Sequence, residues 1–324
     1  MNKIRKKILV FGGDPNSINS EIIFKTWKKL NKSLKKKIYI ISNYNLIKSQ
    51  FQKLGYSIKI QKTKNINENL NSDKLKVIDI YLDFKNPFKV PIKSNRKFIL
   101  NGLNLAHKLS LRKDVLGVIN CSIDKKVLGK RGTGVTEFFA KKCGIKDNSE
   151  AMLIWNEKLS VCPITTHLDI KNVSKKLNKQ SIINKVKTIN LWFRKKFKKR
   201  PKIAILGLNP HNAELRQNSE ERKIIIPAIN RLKHHKIKIY GPLIADTFFM
   251  KDYKKYNVVV GTYHDQVLAP FKSIYKFNAI NITLGLKYLR LSPDHGTATN
   301  LIRKNKADIT SFLQCIKIIN KLTG

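Results

Sequence analysis

Acidic residues are scarce in this sequence. Its 324 residues include 66 Lys and Arg but only 21 Asp and Glu, so the formal net charge is +45 at pH 7. A chain this basic can bind nucleic acid or another anionic surface. However, lysine occurs along the whole chain rather than in one stripe, and aromatic residues are not interleaved with it as a single-strand binder requires. The Lys-, Asn- and Ile-rich composition is typical of AT-rich codons, and we expect no nucleic-acid partner.

Long hydrophobic runs and closely spaced cysteines are also missing. No stretch approaches the roughly 20 apolar residues that span a bilayer. The apolar run Ile8–Phe11 follows a basic N-terminal stretch but stops at Gly12, which is too short for a signal peptide. The four cysteines are scattered without a C-x-x-C spacing, which argues against a zinc finger or a disulfide framework. We therefore expect a cytoplasmic protein without membrane contact.

Short β-branched runs alternate with longer amphipathic stretches. Runs such as Lys7–Phe11, Lys97–Asn101 and Ile203–Leu206 predict strands, whereas Lys176–Lys196 and Ala298–Leu322 predict helices. This alternation is typical of an α/β protein with a mainly parallel sheet. With 42% hydrophobic residues, the chain is long enough for about two domains with a sizeable core.

Three of the seven histidines, His167, His211 and His264, each come just after an apolar β-run. In open α/β sheets, ligands bind beyond the carboxyl ends of the strands. Three neutral imidazoles that converge there would form an open, catalytic metal site. The acidic residues Asp246 and Asp265 could orient the rings and offset the metal charge. The alternative is that these are three unrelated loop or core histidines.

Seven short motifs follow one another between residue 12 and about residue 300. They are Gly13–Pro15, Thr136–Phe138, Thr165–Leu168, Asn209–His211, Gly261–Gln266, Asn281–Leu286 and Ser292–Ala298. Together they resemble the 4-hydroxythreonine-4-phosphate dehydrogenase family of pyridoxal-phosphate (vitamin B6) biosynthesis. The combined pattern is specific and covers nearly the whole chain, although no single motif is specific alone.

The resemblance implies the α/β/α fold of the isocitrate and isopropylmalate dehydrogenases, with two lobes and an active site in the cleft between them. The first lobe is expected to comprise residues 1–125 and 295–324, and the second residues 126–294. The resemblance also implies a homodimer that shares the metal site between its subunits. The family's three metal-binding histidines map onto His167, His211 and His264.

The implied reaction is the oxidation of the C3 hydroxyl of 4-phosphohydroxy-L-threonine by NAD⁺ or NADP⁺, followed by decarboxylation to 3-amino-2-oxopropyl phosphate. A divalent metal on the reacting oxygen would stabilise the charge that develops there. Three imidazoles suit Zn²⁺, whereas Co²⁺, Mn²⁺ or Mg²⁺ could bind if the substrate supplies oxygens. The substrate contacts carried over from the family are Thr136, Lys272, Asn281 and Arg290.

No G-x-G-x-x-G motif follows a predicted strand, so an ordinary Rossmann nucleotide loop is absent. This agrees with the resemblance, because these relatives use a different nucleotide loop. We expect the cofactor contacts at Asp294, His295, Gly296 and Thr297. The alternative is a helix start that is capped by Thr297 or Asp294.

The sequence departs from the family pattern at three places. Val135 stands where the family has a histidine that binds substrate, Ser17 and Asn19 replace two loop glycines, and Asn212–Arg216 replaces a glycine-rich turn. These departures leave open a related dehydrogenase of 4-phosphorylated four-carbon sugar acids, 4-phospho-threonate or 4-phospho-erythronate, and also a weakened descendant. A function of another class, nucleic-acid binding by a basic protein with this fold, is also left open.

Overall fold

The computed structural model describes residues 6–66, 73–128 and 134–323, so most of the basic N-terminal stretch lies outside it. The chain divides into two compact units, one formed by residues 1–138 and 287–324 and the other by residues 139–286. The sequence placed these breaks after residues 125 and 294. Within the described residues, no helix has both the length and the apolar character that crossing a membrane requires.

The strands of the first unit are β1 (Lys7–Phe11), β2 (Ile38–Ser42), β3 (Ile60–Thr63), β4 (Leu75–Asp79), β5 (Val115–Asn120) and β12 (Arg290–Pro293). Their order is β3-β4-β2-β1-β5-β12, and every neighbouring pair is parallel. Strand β2 is buried at each residue, as expected for a parallel sheet with helices on both faces.

The helices of the first unit follow the βα alternation. They are α1 (Asn19–Lys29), α2 (Lys32–Lys37), α3 (Tyr44–Lys53), α4 (Ile92–Ser110), α5 (Lys125–Leu128), α6 (Val135–Lys142), which begins in this unit, and α12 (Thr310–Thr323). A short 3-10 turn occupies Thr299–Leu301.

The second unit contains β6 (Ala151–Trp155), β7 (Ser160–Pro163), β8 (Ile203–Leu206), β9 (Ile239–Leu243), β10 (Val258–Gly261) and β11 (Ile280–Leu284). The order is β11-β6-β7-β10-β8-β9. Strand β6 is antiparallel to both of its neighbours, whereas β7, β10, β8 and β9 are parallel. The carboxyl ends of these four strands therefore lie at one edge.

The helices of the second unit are α7 (Val173–Lys176), α8 (Lys179–Phe197), α9 (Ile226–His234), α10 (Ala245–Phe248) and α11 (His264–Tyr275). A π-helical turn, Glu221–Ile225, runs directly into α9. Short 3-10 turns cover Ile170–Asn172, Pro210–Leu215 and Asp252–Lys255.

Two secondary-structure predictions are wrong. Lys97–Asn101 lies inside α4, where the buried residues Phe98, Ile99 and Leu103 recur at helical spacing. A short apolar run does not distinguish a strand from the buried face of a helix. The predicted helix Ala298–Leu322 is also broken, because several residues before α12 adopt positive φ, which an α-helix excludes. These residues are Ala298, Arg303 and Asn305.

Candidate functional site

The loops that follow β7 and β10 stay hydrogen-bonded beyond the ends of the strands. The backbone N–H groups of Ile164 and Thr165 donate to the carbonyl oxygens of Gly261 and Thr262, at 2.8 and 3.1 Å. The Thr165 hydroxyl donates to the same Thr262 oxygen at 2.8 Å. This pairing keeps the two loop segments side by side as they lead to His167 and His264.

The rings of His167 and His264 lie close together as a result. Their centroids are 5.8 Å apart and their planes are inclined by 38°. His264 is the first residue of α11, and its Nδ1 lies 2.6 Å from Oδ1 of Asp265. Because a carboxylate only accepts hydrogen bonds, this contact assigns the proton of the neutral ring to Nδ1. The lone pair of His264 is then on Nε2, where it can bind a metal.

His211 lies after β8, in a turn whose backbone is left-handed. The φ angles from His211 to Leu215 are between 47° and 57°, although none of these residues is glycine. The imidazole is about two-thirds exposed, with Nε2 at 3.8 Å from Oδ2 of Asp246 and Nδ1 at 3.8 Å from Oε1 of Glu214. Asp246 follows β9, so the structure brings each acidic residue beside one of the histidines.

Two side chains outside the predicted set of site residues, Gln266 and Glu221, hold these loops in place. Gln266 accepts hydrogen bonds from the N–H and the hydroxyl of Thr262, and donates to the carbonyl oxygen of Gly207 at 2.6 Å. It thereby connects the loop after β10 to the loop after β8. Glu221 accepts from the N–H groups of Leu208 and Asn209, both at 2.8 Å. Gln266 lies in one of the family-type motifs, but no local pattern marks Glu221.

The grouping of possible metal ligands is limited across the described residues. Among residues 6–66, 73–128 and 134–323, no group of three or more His, Cys, Asp or Glu side chains is arranged to hold a metal ion. The pair His167 and His264 nevertheless fits part of one. These are imidazole side chains on adjoining loops, and Asp265 orients one ring through its Nδ1. Histidines that bind metals usually donate their other ring N–H in this manner.

In the first unit, the structure brings Arg290 and Thr136 together. Arg290 is 3% exposed; its Nε donates to Oδ1 of Asn120 at 2.6 Å and its Nη1 to Oγ1 of Thr136 at 3.4 Å. Burial lowers the pKa of Arg290 to about 10, which leaves the guanidinium charged at neutral pH. Val135 begins α6 and presents an apolar side chain directly before Thr136.

The segment from Asp294 to Thr297 follows β12 and does not start a helix. The Asp294 N–H donates to the hydroxyl of Ser311 at 2.8 Å, and Thr297 accepts at its carbonyl oxygen from the N–H of Ile18. Nδ1 of His295 lies 2.9 Å from the carbonyl oxygen of Gly296. Burial lowers the pKa of His295, so the imidazole is neutral at pH 7.

Lys272 and Asn281 belong to the second unit. Lys272 is an exposed residue of α11. Asn281 lies on β11, and its Oδ1 is a buried atom without a hydrogen-bond partner among the described residues. A buried amide oxygen without a partner is costly in the absence of a ligand. The environment of Asn281 therefore fits a residue that binds a ligand.

Known proteins resemble this chain over nearly its full length. A family model described as pyridoxal phosphate biosynthetic protein PdxA matches residues 31–319. The 4-hydroxythreonine-4-phosphate dehydrogenase of Sulfurihydrogenibium sp. (strain YO3AOP1) is 38% identical over 319 residues, which cover 96% of this chain and 97% of that protein.

Solved structures of other proteins also resemble this chain. The crystal structure of 4-hydroxythreonine-4-phosphate dehydrogenase from Klebsiella pneumoniae matches with a TM-score of 0.85 and 26% identity, over 100% of this chain and 99% of that one. A beta-decarboxylating dehydrogenase from Thermococcus kodakarensis shares the fold alone, with a TM-score of 0.53 and 10% identity, over 98% of this chain and 83% of that one. The predicted isocitrate and isopropylmalate dehydrogenase-like fold is therefore confirmed. The chain belongs to the PdxA family of pyridoxal phosphate biosynthetic proteins, whose curated relatives are oxidoreductases named 4-hydroxythreonine-4-phosphate dehydrogenase.

Proposed function

We propose that this chain catalyses the metal-dependent, NAD(P)-linked oxidation of the C3 hydroxyl of 4-phosphohydroxy-L-threonine. In the first step, the hydroxyl loses its proton and C3 loses a hydride to NAD(P)⁺, which gives a 3-oxo acid. The bond to the carboxylate then breaks, CO₂ leaves, and a proton replaces it to give 3-amino-2-oxopropyl phosphate. The names and the 38% identity of the curated relatives support this substrate.

The observation that carries the proposal is the approach of His167 and His264 at the carboxyl edge of β7 and β10. These two rings and His211 are the proposed metal ligands, with Zn²⁺ as the first candidate and Co²⁺, Mn²⁺ or Mg²⁺ as others. When bound, the metal would lower the pKa of the C3 hydroxyl and stabilise the negative charge that develops on its oxygen. Asp265 holds the His264 ring so that Nε2 faces outward from their contact.

The other residues of the proposal bind the charged ends of the substrate. Arg290 offers a guanidinium that can hold two oxygens of a phosphate or carboxylate, and Asn120 fixes its orientation. Thr136 and Asn281 supply neutral hydrogen bonds, and Lys272 supplies a mobile positive charge. The segment Asp294–Thr297 is the proposed contact for the nicotinamide cofactor.

We further propose a homodimer in which the partner completes the metal site. Two observations support it. The described residues of one chain do not assemble three metal ligands, and large apolar side chains near His167, His211 and Asp246 are exposed. These are Leu168, Ile170, Leu215, Ile244 and Met250, which are 41–71% exposed. Large apolar side chains that stay exposed beside polar site residues in the sequence are compatible with a subunit interface.

The decisive experiment is reduction of NAD⁺ and NADP⁺ by the purified protein with 4-phosphohydroxy-L-threonine. Metal-stripped protein is assayed before and after each divalent metal is added. We expect NADH or NADPH formation only with metal present. A folded protein that binds metal but forms no reduced cofactor would contradict the substrate proposed here.

Val135 favours a second candidate substrate. Where the family's histidine can donate a hydrogen bond, valine cannot, and the loss of one bond to a charged group costs roughly 1.5–3 kcal/mol. A related dehydrogenase acting on 4-phospho-threonate or 4-phospho-erythronate would be supported if kcat/KM for either exceeded that for 4-phosphohydroxy-L-threonine. A Val135→His variant that reverses this preference would assign the choice to residue 135.

A further inference from the structure

Glu221 is a carboxylate with no exposed surface, placed at the start of the π-helical turn before α9. Its Oε1 accepts hydrogen bonds from the backbone N–H groups of Leu208 and Asn209, both at 2.8 Å. Its Oε2 accepts from Nδ2 of Asn209 at 3.0 Å. Each of these donors belongs to the short segment between β8 and His211.

A buried carboxylate is costly unless hydrogen bonds replace the water that it loses. The negative charge at the first turn of a helix is itself favourable, but a solvent-exposed carboxylate would serve that purpose equally well. The burial of Glu221 is explained instead by the loop, because the loop supplies three of its donors. Hydrogen bonds to a charged acceptor are also stronger and more directional than neutral ones.

The segment between β8 and His211 is also held by hydrogen bonds on its opposite side. Gln266 donates to the carbonyl oxygen of Gly207, and the N–H of Gly207 donates to the carbonyl oxygen of Leu243. A Cβ atom on Gly207 would lie 2.0 Å from Oδ1 of Asn212 and 3.2 Å from Oε1 of Glu221. Residues 207–209 are therefore held from both sides, and position 207 has no space for a side chain.

We propose that Glu221 is a positioning residue for His211. By binding the two N–H groups just before Pro210, it fixes the direction in which the chain enters the left-handed turn and hence the place of the His211 ring. Gln266 sets the same segment against the loop of His264. The proposal rests on the proposed function in one respect, because it takes His211 to be a metal ligand.

Amide hydrogen exchange of the metal-free, full-length protein tests the positioning directly. Glu221→Gln keeps the size of the side chain but removes its charge, and Glu221→Asp keeps the charge but withdraws it by one methylene. We expect the peptide that covers residues 206–216 to exchange about tenfold faster or more in Glu221→Gln, with a smaller increase in Glu221→Asp. The peptide that covers α11 should be unchanged. Unaltered exchange at 206–216 in a folded variant would overturn the proposal.

Cobalt binding tests the consequence for His211. The metal-stripped protein and its variants are titrated with Co²⁺, and both the affinity and the visible absorption spectrum are recorded. We expect weaker binding, roughly tenfold, and an altered spectrum in Glu221→Gln, with partial recovery in Glu221→Asp. Equal affinity and an unchanged spectrum would overturn the positioning role alone, whereas a wild-type protein that binds no Co²⁺ would overturn both this role and the proposed metal site.

A matched control separates positioning from simple loss of stability. Val186 is a fully buried residue of α8 in the same unit. Val186→Ala should lower the melting temperature and leave both the 206–216 exchange in the native state and the Co²⁺ spectrum unchanged. If Val186→Ala reproduced the spectral change at a similar melting temperature, Glu221 would have a structural role only.

Discussion

The Nδ1 atom of His264 lies 2.6 Å from Oδ1 of Asp265, the next residue in the chain. The carboxylate is largely exposed, with 78% of its side chain accessible, whereas the imidazole is 33% accessible. The contact therefore adds little to stability, since exposed ion pairs contribute about 0–1 kcal/mol. Its effect is to select the tautomer of His264, which leaves the lone pair of the neutral ring on Nε2.

Asp265→Ala should accordingly weaken metal binding without unfolding the protein. Partners that orient a metal-binding histidine typically contribute roughly 10- to 100-fold in metal affinity. Calorimetric titration of the metal-stripped protein with Zn²⁺ or Co²⁺ checks this. Asp252→Ala is the control, because Asp252 is a half-exposed carboxylate of the same unit that pairs with Lys255. Equal metal affinity in wild type and Asp265→Ala would contradict the role of this contact.

His211→Ala should abolish metal-dependent turnover while the protein stays folded. The ring is 68% exposed, so its removal leaves no cavity in the core. Circular dichroism and melting temperature should match wild type, and activity should not return when metal is added back. His234→Ala, which changes an exposed histidine at the end of α9, should behave as wild type. Full activity of His211→Ala after metal is stripped and restored would remove His211 from the site.

The parts of this site that depend on strand ends were predictable from sequence. β1 and β8 have the predicted bounds, and β7 and β10 are the strands that precede His167 and His264. Because parallel neighbours end at the same edge, the approach of His167 and His264 follows from the apolar runs before them. Helix α11 was not predicted, since Pro270 lies within it and proline usually interrupts a helix.

The parts that depend on tertiary partners were not predictable. Nothing local distinguishes Glu221 from an exposed acidic residue at a helix start, because its donors are 12 and 13 residues away in the chain. Strand β12 begins with Arg290, a charged residue that is rarely buried, and it ends at Pro293. The left-handed turn from His211 to Leu215 contains no glycine to signal its conformation.

The left-handed turn from His211 to Leu215 gives a further prediction, which concerns the free energy of unfolding. A non-glycine residue in the left-handed region costs roughly 1–2 kcal/mol, and glycine removes this cost at the expense of a more flexible unfolded state. Glu214 has φ of 47° and an exposed side chain. Glu214→Gly should therefore raise the free energy of unfolding by about 0.5–1 kcal/mol.

Chemical denaturation of the two proteins measures the difference. Arg231→Gly is the matched control, because it places glycine at an exposed position of α9, where it should lower stability by about 1 kcal/mol. A Glu214→Gly variant that is destabilised as much as Arg231→Gly would show that the turn is not left-handed in solution.

Arg290→Lys should raise KM for the phosphorylated substrate more than it lowers kcat. Lysine keeps the positive charge, but one ammonium cannot reproduce the separate bonds to Asn120 and Thr136. The expected increase in KM is about tenfold or more, as for the loss of one hydrogen bond to a charged group. Steady-state kinetics at saturating cofactor separates the two constants. Arg112→Lys, at an exposed arginine of the same unit, is the control and should leave KM unchanged. An unchanged KM in Arg290→Lys would exclude Arg290 from substrate binding.

The ion pairs of Asp114 lead to a prediction of how the free energy of unfolding changes at acidic pH. Hydrogen bonds from Arg112 and then Lys7 hold the pKa of its carboxyl well below the usual value. A carboxyl with a depressed folded-state pKa stabilises the protein above its unfolded pKa, about 3.9, and loses that contribution as pH falls toward the folded value. Asp114→Asn should therefore lower the free energy of unfolding by about 0.5–1 kcal/mol at pH 7, and this difference should shrink below about pH 4. Urea unfolding at pH 7, 5 and 3 measures the free-energy difference, and Asp252→Asn, at an exposed position, is the control. A difference of constant size at all three pH values would show that the ion pair of Asp114 does not cause the loss of stability.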